Sequence, residues 1–400
     1  MHHLQLTEYQ TEPAVPLAPE ERDALREVAQ VTPTRGTLDR YDVTPGSTIG
    51  VIELPALTVE IRPKLPINRV MFLISYALDP SAWRDTGFDF DEDESLLEAL
   101  IPGFVFQVRQ ALRRGVLQGY RVEEEALAGV RGRIRFDDQL RSRFGIAPPV
   151  EVRFDDFTED IEVNRLLKAA IRRLGRLRIR SIKARRSLRS FDQALMRVSD
   201  VDYDPRRLPE FDWNRLNAHY RTATELAKLI LRSSSFELRR GNVRSAAFLV
   251  DMNKVFEDFV VLALRETLGL TEWEFPQGVR TRLDRAGLVR LEPDISWWED
   301  GICVFVGDVK YKKVRADGVN HPDLYQLLAY VVANQLTGGL LIYAAGEDQP
   351  AVHEVLHIDR RLEVMTLDLS GDPEVVLTQI REVARRVEYL RSWFRVRVPA

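Results

Sequence analysis

The sequence predicts an α/β protein, α+β overall, in which a β-rich N-terminal region and a helical middle precede a mixed sheet flanked by helices. Three observations carry that expectation. The stretch STIGVIELPALTVEIRPKLP (47–66) alternates apolar and polar residues between Gly and Pro punctuation, as half-buried strands do. From Asp160 to Arg240 the apolar residues recur at the helical period, clearest in EVNRLLKAAIRRL. After Gly241, helical and strand-like segments alternate, the βαβ order of a mixed sheet covered by helices.

In chain order, PEERDALREVAQ (19–30) places Pro and acids in a first turn and predicts a short helix. The 47–66 stretch is a hairpin or part of a small barrel. NRVMFLISYAL (68–78) and DESLLEALIPGFVFQVRQALRRGV (93–116) read as helices, and GYRVEEEALAGVRGRIRFDDQL (119–140) with PVEVRFDDFT (149–158) as a second β-rich patch. The proline-bearing DYDPRRLPEFDW (202–213) joins the helical run around EVNRLLKAAIRRL to the helix RLNAHYRTATELAKLILRS (215–233). Beyond it the pattern predicts a long helix over 246–267, a hairpin turning at Asp300–Gly301, a helix over 322–336 and a strand over 339–346. Two strands near 352–358 and 362–368 and a last helix over 373–392 follow. The natural divisions are 1–159, 160–245 and 246–400.

With 400 residues, several compact units are expected. No apolar run reaches the ~18 residues of a membrane span, and MHHLQLTEYQ lacks the layout of a signal peptide, so a cytoplasmic protein is expected. Cys303, the single cysteine, has no disulfide partner within the chain and reads as a buried, inert thiol; the six histidines show no zinc spacing. A formal net charge of −4 weighs against nucleic-acid binding through overall charge. The distribution is uneven: DTGFDFDEDESLLE (85–98) is acidic, whereas NRLLKAAIRRLGRLRIRSIKARRSLRS (164–190) contains no acid. Arg172, Arg173, Arg176 and Arg178 are therefore candidate phosphate contacts, against the plainer reading of a solvated helical face.

The chemistry concentrates in LEPDISWWEDGICVFVGDVKYKK (291–313). A buried strand excludes unpaired charge, yet this apolar run carries Asp294, Asp308 and Lys310. Asp308 and Lys310, two apart, share a strand face. Folding at Asp300–Gly301 brings Asp294 close to Asp308. Neighbouring carboxylates repel unless a cation separates them. Mg²⁺, or Mn²⁺, fits Asp294, Asp308 and the Val309 carbonyl oxygen, with Lys310 orienting or deprotonating water or stabilising transition-state charge. The order Pro293-Asp294 … Asp308-Val309-Lys310 matches the PD-(D/E)xK phosphodiesterase motif. Glu257, at the edge of an apolar helical stripe, is a candidate third metal carboxylate, its plainer reading a solvated edge residue. Gln326 and Tyr330, four apart on a helix, resemble the Q-x-x-x-Y helix of RecB-like nucleases; the plainer reading is an amphipathic helix. No G-x-x-x-x-G-K-[ST] loop occurs, so no nucleotide is expected to be bound by the P-loop route.

Beyond this motif the chain resembles the McrC family, the nuclease subunits of McrBC-type restriction systems that cut DNA bearing modified cytosine. The resemblance lies in VEIRPKLPINRVMFLISYA (59–77), GVRGRIRF (129–136), DIEVNRLLKAAIRRL (160–174), FLVDMNKVFEDFV (248–260), PDI (293–295), DVKYKK (308–313) and DLYQLLAY (323–330). It implies a PD-(D/E)xK restriction-endonuclease-like domain over 246–400. A helical connector over 160–245 and a β-rich region over 1–159 would precede it, the latter docking on a hexameric McrB-like AAA+ GTPase and stimulating it. The β-rich segment 119–158, with Arg131 and Arg133 near its middle, is the candidate ring contact. Lys312 and Lys313 beside the motif are candidate contacts to double-stranded DNA. The alternatives are a stand-alone RecB-like repair nuclease and a non-catalytic assembly factor; the size of the N-terminal part weighs against the first and the intact motif against the second.

Overall fold

The computed structural model describes residues 2–78, 80, 95–142, 148–234, 246–312, 321–344 and 351–397. Most of the acidic stretch 85–98, and Lys313, lie outside these described residues. The chain forms two compact units, one from Met1–Val51, Ala56–Leu96 and Leu249–Ala400, the other from Ile52–Pro55 and Leu97–Phe248. This grouping differs from three consecutive segments: most of the first 96 residues belong with the C-terminal part, and the 119–158 strands belong with the helices that follow them.

The first unit opens with β1 (His2–Thr7), β2 (Glu12–Pro16), α1 (Pro19–Leu25), β3 (Ala29–Pro33) and β4 (Arg40–Pro45), then β5 (Thr48–Glu53), β6 (Leu57–Arg62) and α2 (Ile67–Leu78). Helix α1 starts where the sequence places it, with Pro19 in its first turn and the Glu21 carboxylate accepting the Ala18 N–H at 2.9 Å. The strands β1 to β4 were not legible as strands, because their apolar residues are few and only Leu6, Val15, Val31 and Val43 are buried among apolar neighbours.

The second unit contains α3 (Leu96–Ala111), β7 (Gly119–Leu127), β8 (Arg133–Ile134), α4 (Phe136–Ser142) and β9 (Val150–Thr158), then α5 (Glu162–Gly175), α6 (Ile182–Ala194) and α7 (Arg221–Ser233). Strands β7, β9 and β8 form a three-stranded sheet, so the second β-rich patch is present, although its end is the short helix α4. Helix α7 begins at Arg221, later than the pattern suggests, after a 3₁₀ turn over Ala218–Tyr220. Helix α5 buries Leu166, Leu167, Ala170, Ile171 and Leu174, the stripe its period predicts.

The chain returns to the first unit in β10 (Ala246–Asp251), α8 (Met252–Leu268), β11 (Thr281–Arg282), β12 (Arg290–Leu291), β13 (Ile295–Glu299) and β14 (Ile302–Lys310). There follow α9 (His321–Ala333), β15 (Gly338–Ala344), β16 (Ala351–Val355), β17 (Arg360–Leu367) and α10 (Pro373–Arg397). The long helix expected over 246–267 is thus a strand followed by a helix. Asp251 decides the boundary: its carboxylate accepts the Asn253 N–H at 2.9 Å and the Ser47 hydroxyl at 2.8 Å, capping α8 and ending β10. Strand β10 joins a sheet of order β1–β6–β5–β10.

The sheet that positions the site runs β13–β14–β15–β17–β16, antiparallel at both margins and parallel in the middle. Val306, Leu341, Tyr343, Leu362 and Val364 pack with Leu327, Tyr330 and Val331 of α9 on one face. Glu363, adjacent to Val364, points the other way and bonds Arg386 of α10. Asp308 and Lys310, in alternation with Val306, therefore share the α9 face.

Candidate functional site

The site is built by the hairpin that the Asp300–Gly301 turn closes. Both turn residues have positive φ, +48° and +78°, as a tight two-residue connection requires. The register pairs Ile295 with Gly307, which sets Asp294, the next residue back, beside Asp308. The Val309 N–H donates to Asp294 Oδ2 at 2.8 Å. Lys310 Nζ lies 2.5 Å from Asp308 Oδ2 and 3.9 Å from Asp294 Oδ2. Asp308 is fully buried, and its Oδ1 accepts no hydrogen bond.

Electrostatics follow from this crowding. Burial, reinforced by the Asp308 charge, pushes the Asp294 carboxyl up to about 7. Burial alone would lower Lys310, but Asp308, with Asp294 and Asp323 beyond it, outweighs burial and holds the ammonium above its usual pKa. The protonated form of Lys310 is thus the stable one in this charge arrangement.

Helix α9 brings Gln326 and Tyr330 to the same place. Gln326 Nε2 donates to Tyr330 Oη at 2.6 Å, and Tyr330 Oη donates to the Glu292 carbonyl at 3.2 Å. Burial and the Asp308 charge raise the Tyr330 pKa, which keeps it a phenol. Asp323, on the first turn of α9, was missed in the sequence because an acid there reads as an ordinary helix-start residue. It is buried, 2.7 Å from Lys312 Nζ, and accepts the Tyr343 hydroxyl at 2.6 Å. Lys312 is thereby tied to the α9 start rather than left free.

Glu257 has partners of its own. It lies 3.0 Å from Lys254 Nζ and accepts the Gln277 side-chain N–H at 2.7 Å. Among the described residues, no three His, Cys, Asp or Glu side chains are arranged to hold a metal ion. Asp294 and Asp308 alone are enough for the one or two carboxylates Mg²⁺ usually takes, and the orphaned Asp308 Oδ1 is an oxygen that a hard cation would satisfy. The donor set therefore fits a divalent metal without Glu257 as a preformed ligand. Cys303 is buried, its thiol pushed up to about 12 by that burial, which matches the inert reading.

Of the basic candidates in the second unit, Arg172 is paired with Asp200, Arg173 with Asp202 at 3.8 Å and Arg178 with Glu53 at 3.7 Å. Only Arg176 is exposed without an ion pair to a described residue. Arg131 bonds Asp156 at 2.7 Å and lies over the Phe154 ring at 4.2 Å, so it braces its own sheet. Arg133 is exposed. Between them Gly132 has φ +73°, and a Cβ there would come 2.4 Å from the Arg153 carbonyl, so only glycine fits.

The fold and these side chains define an α+β protein with a paired-carboxylate and lysine centre on the β13–β14 hairpin of a mixed sheet. The family model described as McrBC 5-methylcytosine restriction system component matches residues 43–344, and the chain belongs to that family. It is 22% identical over 312 residues to the Type IV methyl-directed restriction enzyme EcoKMcrBC of Escherichia coli (strain K12), covering 70% of this chain and 86% of that protein. Its fold is shared with a chain of the Thermococcus gammatolerans assembly of McrB AAA+ hexamers with bound McrC. That match has a TM-score of 0.56 at 16% identity and covers 96% of this chain and 100% of that one. Among the described residues no helix is long and apolar enough to cross a membrane.

Proposed function

We propose that this protein is the Mg²⁺-dependent DNA endonuclease subunit of a McrBC-type restriction complex. It would act in the cytoplasm, cleaving phosphodiester bonds in modified DNA when assembled with a McrB-like AAA+ GTPase whose hydrolysis it stimulates. The observation that carries the nuclease reading is the meeting of Asp294, Asp308 and Lys310 on one hairpin, in the PD-(D/E)xK order. Family membership and the likeness to a chain from an McrB–McrC assembly support the partner.

In this reading Asp294 and Asp308 hold Mg²⁺, with the Val309 carbonyl oxygen completing the protein's share. Bound there, a divalent ion supplies Lewis-acid polarisation of the phosphodiester. Asp294 would be held there as the carboxylate, because a cation between them would offset the repulsion from Asp308. Lys310, kept as an ammonium, orients the attacking water and faces the charge that develops on the phosphate oxygens; the deprotonated, general-base role is disfavoured by the two carboxylates beside it. Gln326 would offer its second amide N–H to the DNA backbone from α9, with Tyr330 holding it in place, and Lys312 would add a cation only on leaving Asp323. Glu257 joins only if it leaves Lys254 and Gln277.

The test compares the chain alone and the chain with its AAA+ partner on methylated and unmethylated duplex DNA, with Mg²⁺ and GTP. Cleavage that needs both the partner and Asp308 is expected. Cleavage by the chain with Mg²⁺ alone would favour a stand-alone nuclease, and cleavage unaffected by Asp308→Asn would remove the hairpin from the chemistry.

A further inference from the structure

Folding divides the basic run 164–190 into two parts of different character. On α5 and just after it, Lys168, Arg172, Arg173 and Arg178 are matched by Asp200, Asp202 and Glu53. On α6 the cations have no such partners: Lys183, Arg185, Arg186 and Arg189 are exposed and form no ion pair with a described residue. Lys183 and Arg186 lie seven and four residues before Ser190, so the three share one flank of the helix.

That flank faces a second source of positive charge. A groove of about 490 Å³ lies between the end of α3 and α6, lined by Arg109, Gln110 and Arg113 on one side and by Ser190, Phe191 and Ala194 on the other. Arg109 Nη2 reaches the Ser187 hydroxyl at 3.5 Å, which confirms that the two flanks adjoin. No carboxylate lines the groove, and its large apolar members, Phe191 and Leu112, are not exposed, which leaves the small Ala194 as its exposed apolar residue.

We infer that the α3–α6 groove, with the α6 flank that continues from it, is a contact surface for the phosphate backbone of duplex DNA, Arg109 and Arg113 lining the groove and Lys183 and Arg186 standing beside it on that flank. Mixed guanidinium, ammonium, hydroxyl and amide donors without acceptors of like charge are the chemistry that phosphate oxygens take. A protein partner would be expected to find an exposed apolar centre, which the lining lacks. This surface deepens the DNA-cleaving reading and rests on it. It also moves the phosphate contact from the paired arginines of α5 to the unpaired cations of α6.

The experiment measures anisotropy of a fluorescein-labelled duplex against the full chain across about 50 to 200 mM salt. Three proteins are compared: wild type, Arg109→Gln/Arg113→Gln/Lys183→Gln/Arg186→Gln, and Arg172→Gln/Arg173→Gln. Each lost phosphate contact removes about 0.9 from the slope of log affinity against log salt, so the quadruple variant should lose about 2 to 4 from the slope and the α5 variant nothing. All four replaced side chains are exposed, and thermal unfolding checks that the fold is kept. A wild type that binds with salt dependence and a quadruple variant with the same slope would overturn the groove and leave the nuclease reading standing. A quadruple variant that keeps its DNA slope but no longer assembles with the AAA+ partner would reassign the groove to a protein. A wild type that binds no duplex would overturn both the groove and the DNA reading.

Discussion

Asp294 and Asp160 are carboxylates that their surroundings move in opposite directions, and each dictates its own pH dependence. Asp294 is raised to about 7 by burial and the neighbouring Asp308, so folding takes up a proton. Its contribution to stability is complete below about pH 4 and is lost as pH rises through 7. Asp294→Asn should therefore stabilise the metal-free protein at pH 8 by on the order of 1–3 kcal/mol, with no gain at pH 4. The same variant should lose Mg²⁺ affinity, read by calorimetric titration; unchanged affinity would exclude Asp294 from the metal site. Asp160 is the reverse case. Hydrogen bonds from Arg165, with those from the Ser199 backbone and hydroxyl behind them, hold its carboxyl well below the usual range. Arg121 adds an ion pair at 2.6 Å. The stability this network contributes is present above about pH 4 and is lost as pH falls. Asp160→Asn should cost about 2–3 kcal/mol at neutral pH, because it leaves two partly buried guanidinium groups short of a counter-charge. Denaturant midpoints at pH 7 and pH 3 check this, with a smaller gap between the two proteins at the lower value, where the loss has begun.

Between elements, α9 sits closely on β15. A Cβ at Gly339 would lie 2.8 Å from both Leu327 Cδ1 and Val331 Cγ2, inside a core with no space to yield. Gly339→Ala should cost about 1–3 kcal/mol by overpacking and shift Gln326 and Tyr330 away from Asp308. A thermal midpoint equal to the wild type's would show that α9 moves freely. The end of β14 is fastened separately: Tyr311 Oη donates to buried Glu8 at 2.9 Å, Tyr9 Oη donates to the Tyr311 carbonyl at 3.2 Å, and Lys64 Nζ sits 4.0 Å from the Tyr311 ring centre. This latch was hidden in the sequence because its partners are some three hundred residues apart. The β13–β14 hairpin was legible because its signals are local: a turn pair, an apolar strand run and two charged residues on one face. The start of α8 was misread for the opposite reason. AAFLVD is apolar enough for either helix or strand, and the choice rests on β5 beside it and on the Ser47–Asp251 bond, neither visible from a window of neighbours. The same limit applies to Arg172 and Glu257, whose partners Asp200 and Gln277 neutralise or engage them only after folding.

Across the whole molecule, the two compact units distribute the proposed tasks. The carboxylate–lysine centre belongs to one unit, while the β7–β9–β8 sheet belongs to the other. That sheet exposes Tyr120 and Phe157, with ring centres 5.1 Å apart, and Val130 on its connecting loop, which is apolar surface of the kind a partner covers. Loss of function should therefore separate by site. Lys310→Ala removes the ammonium beside Asp308 and should abolish DNA cleavage, while assembly with the AAA+ partner and stimulation of its GTP hydrolysis persist. Replacing residues 128–132, between β7 and β8, with a short Gly-Ser turn should do the converse, losing stimulation while Mg²⁺ binding at Asp294 and Asp308 persists. Nucleotide turnover and DNA cleavage measured on the same preparations decide both. Wild-type cleavage by Lys310→Ala would show that the hairpin is not the catalytic centre. Full stimulation by the loop replacement would place the ring contact elsewhere, with the 60–66 segment the next to test, and because Lys64 there packs on Tyr311 its replacement would then have to be read in both assays at once.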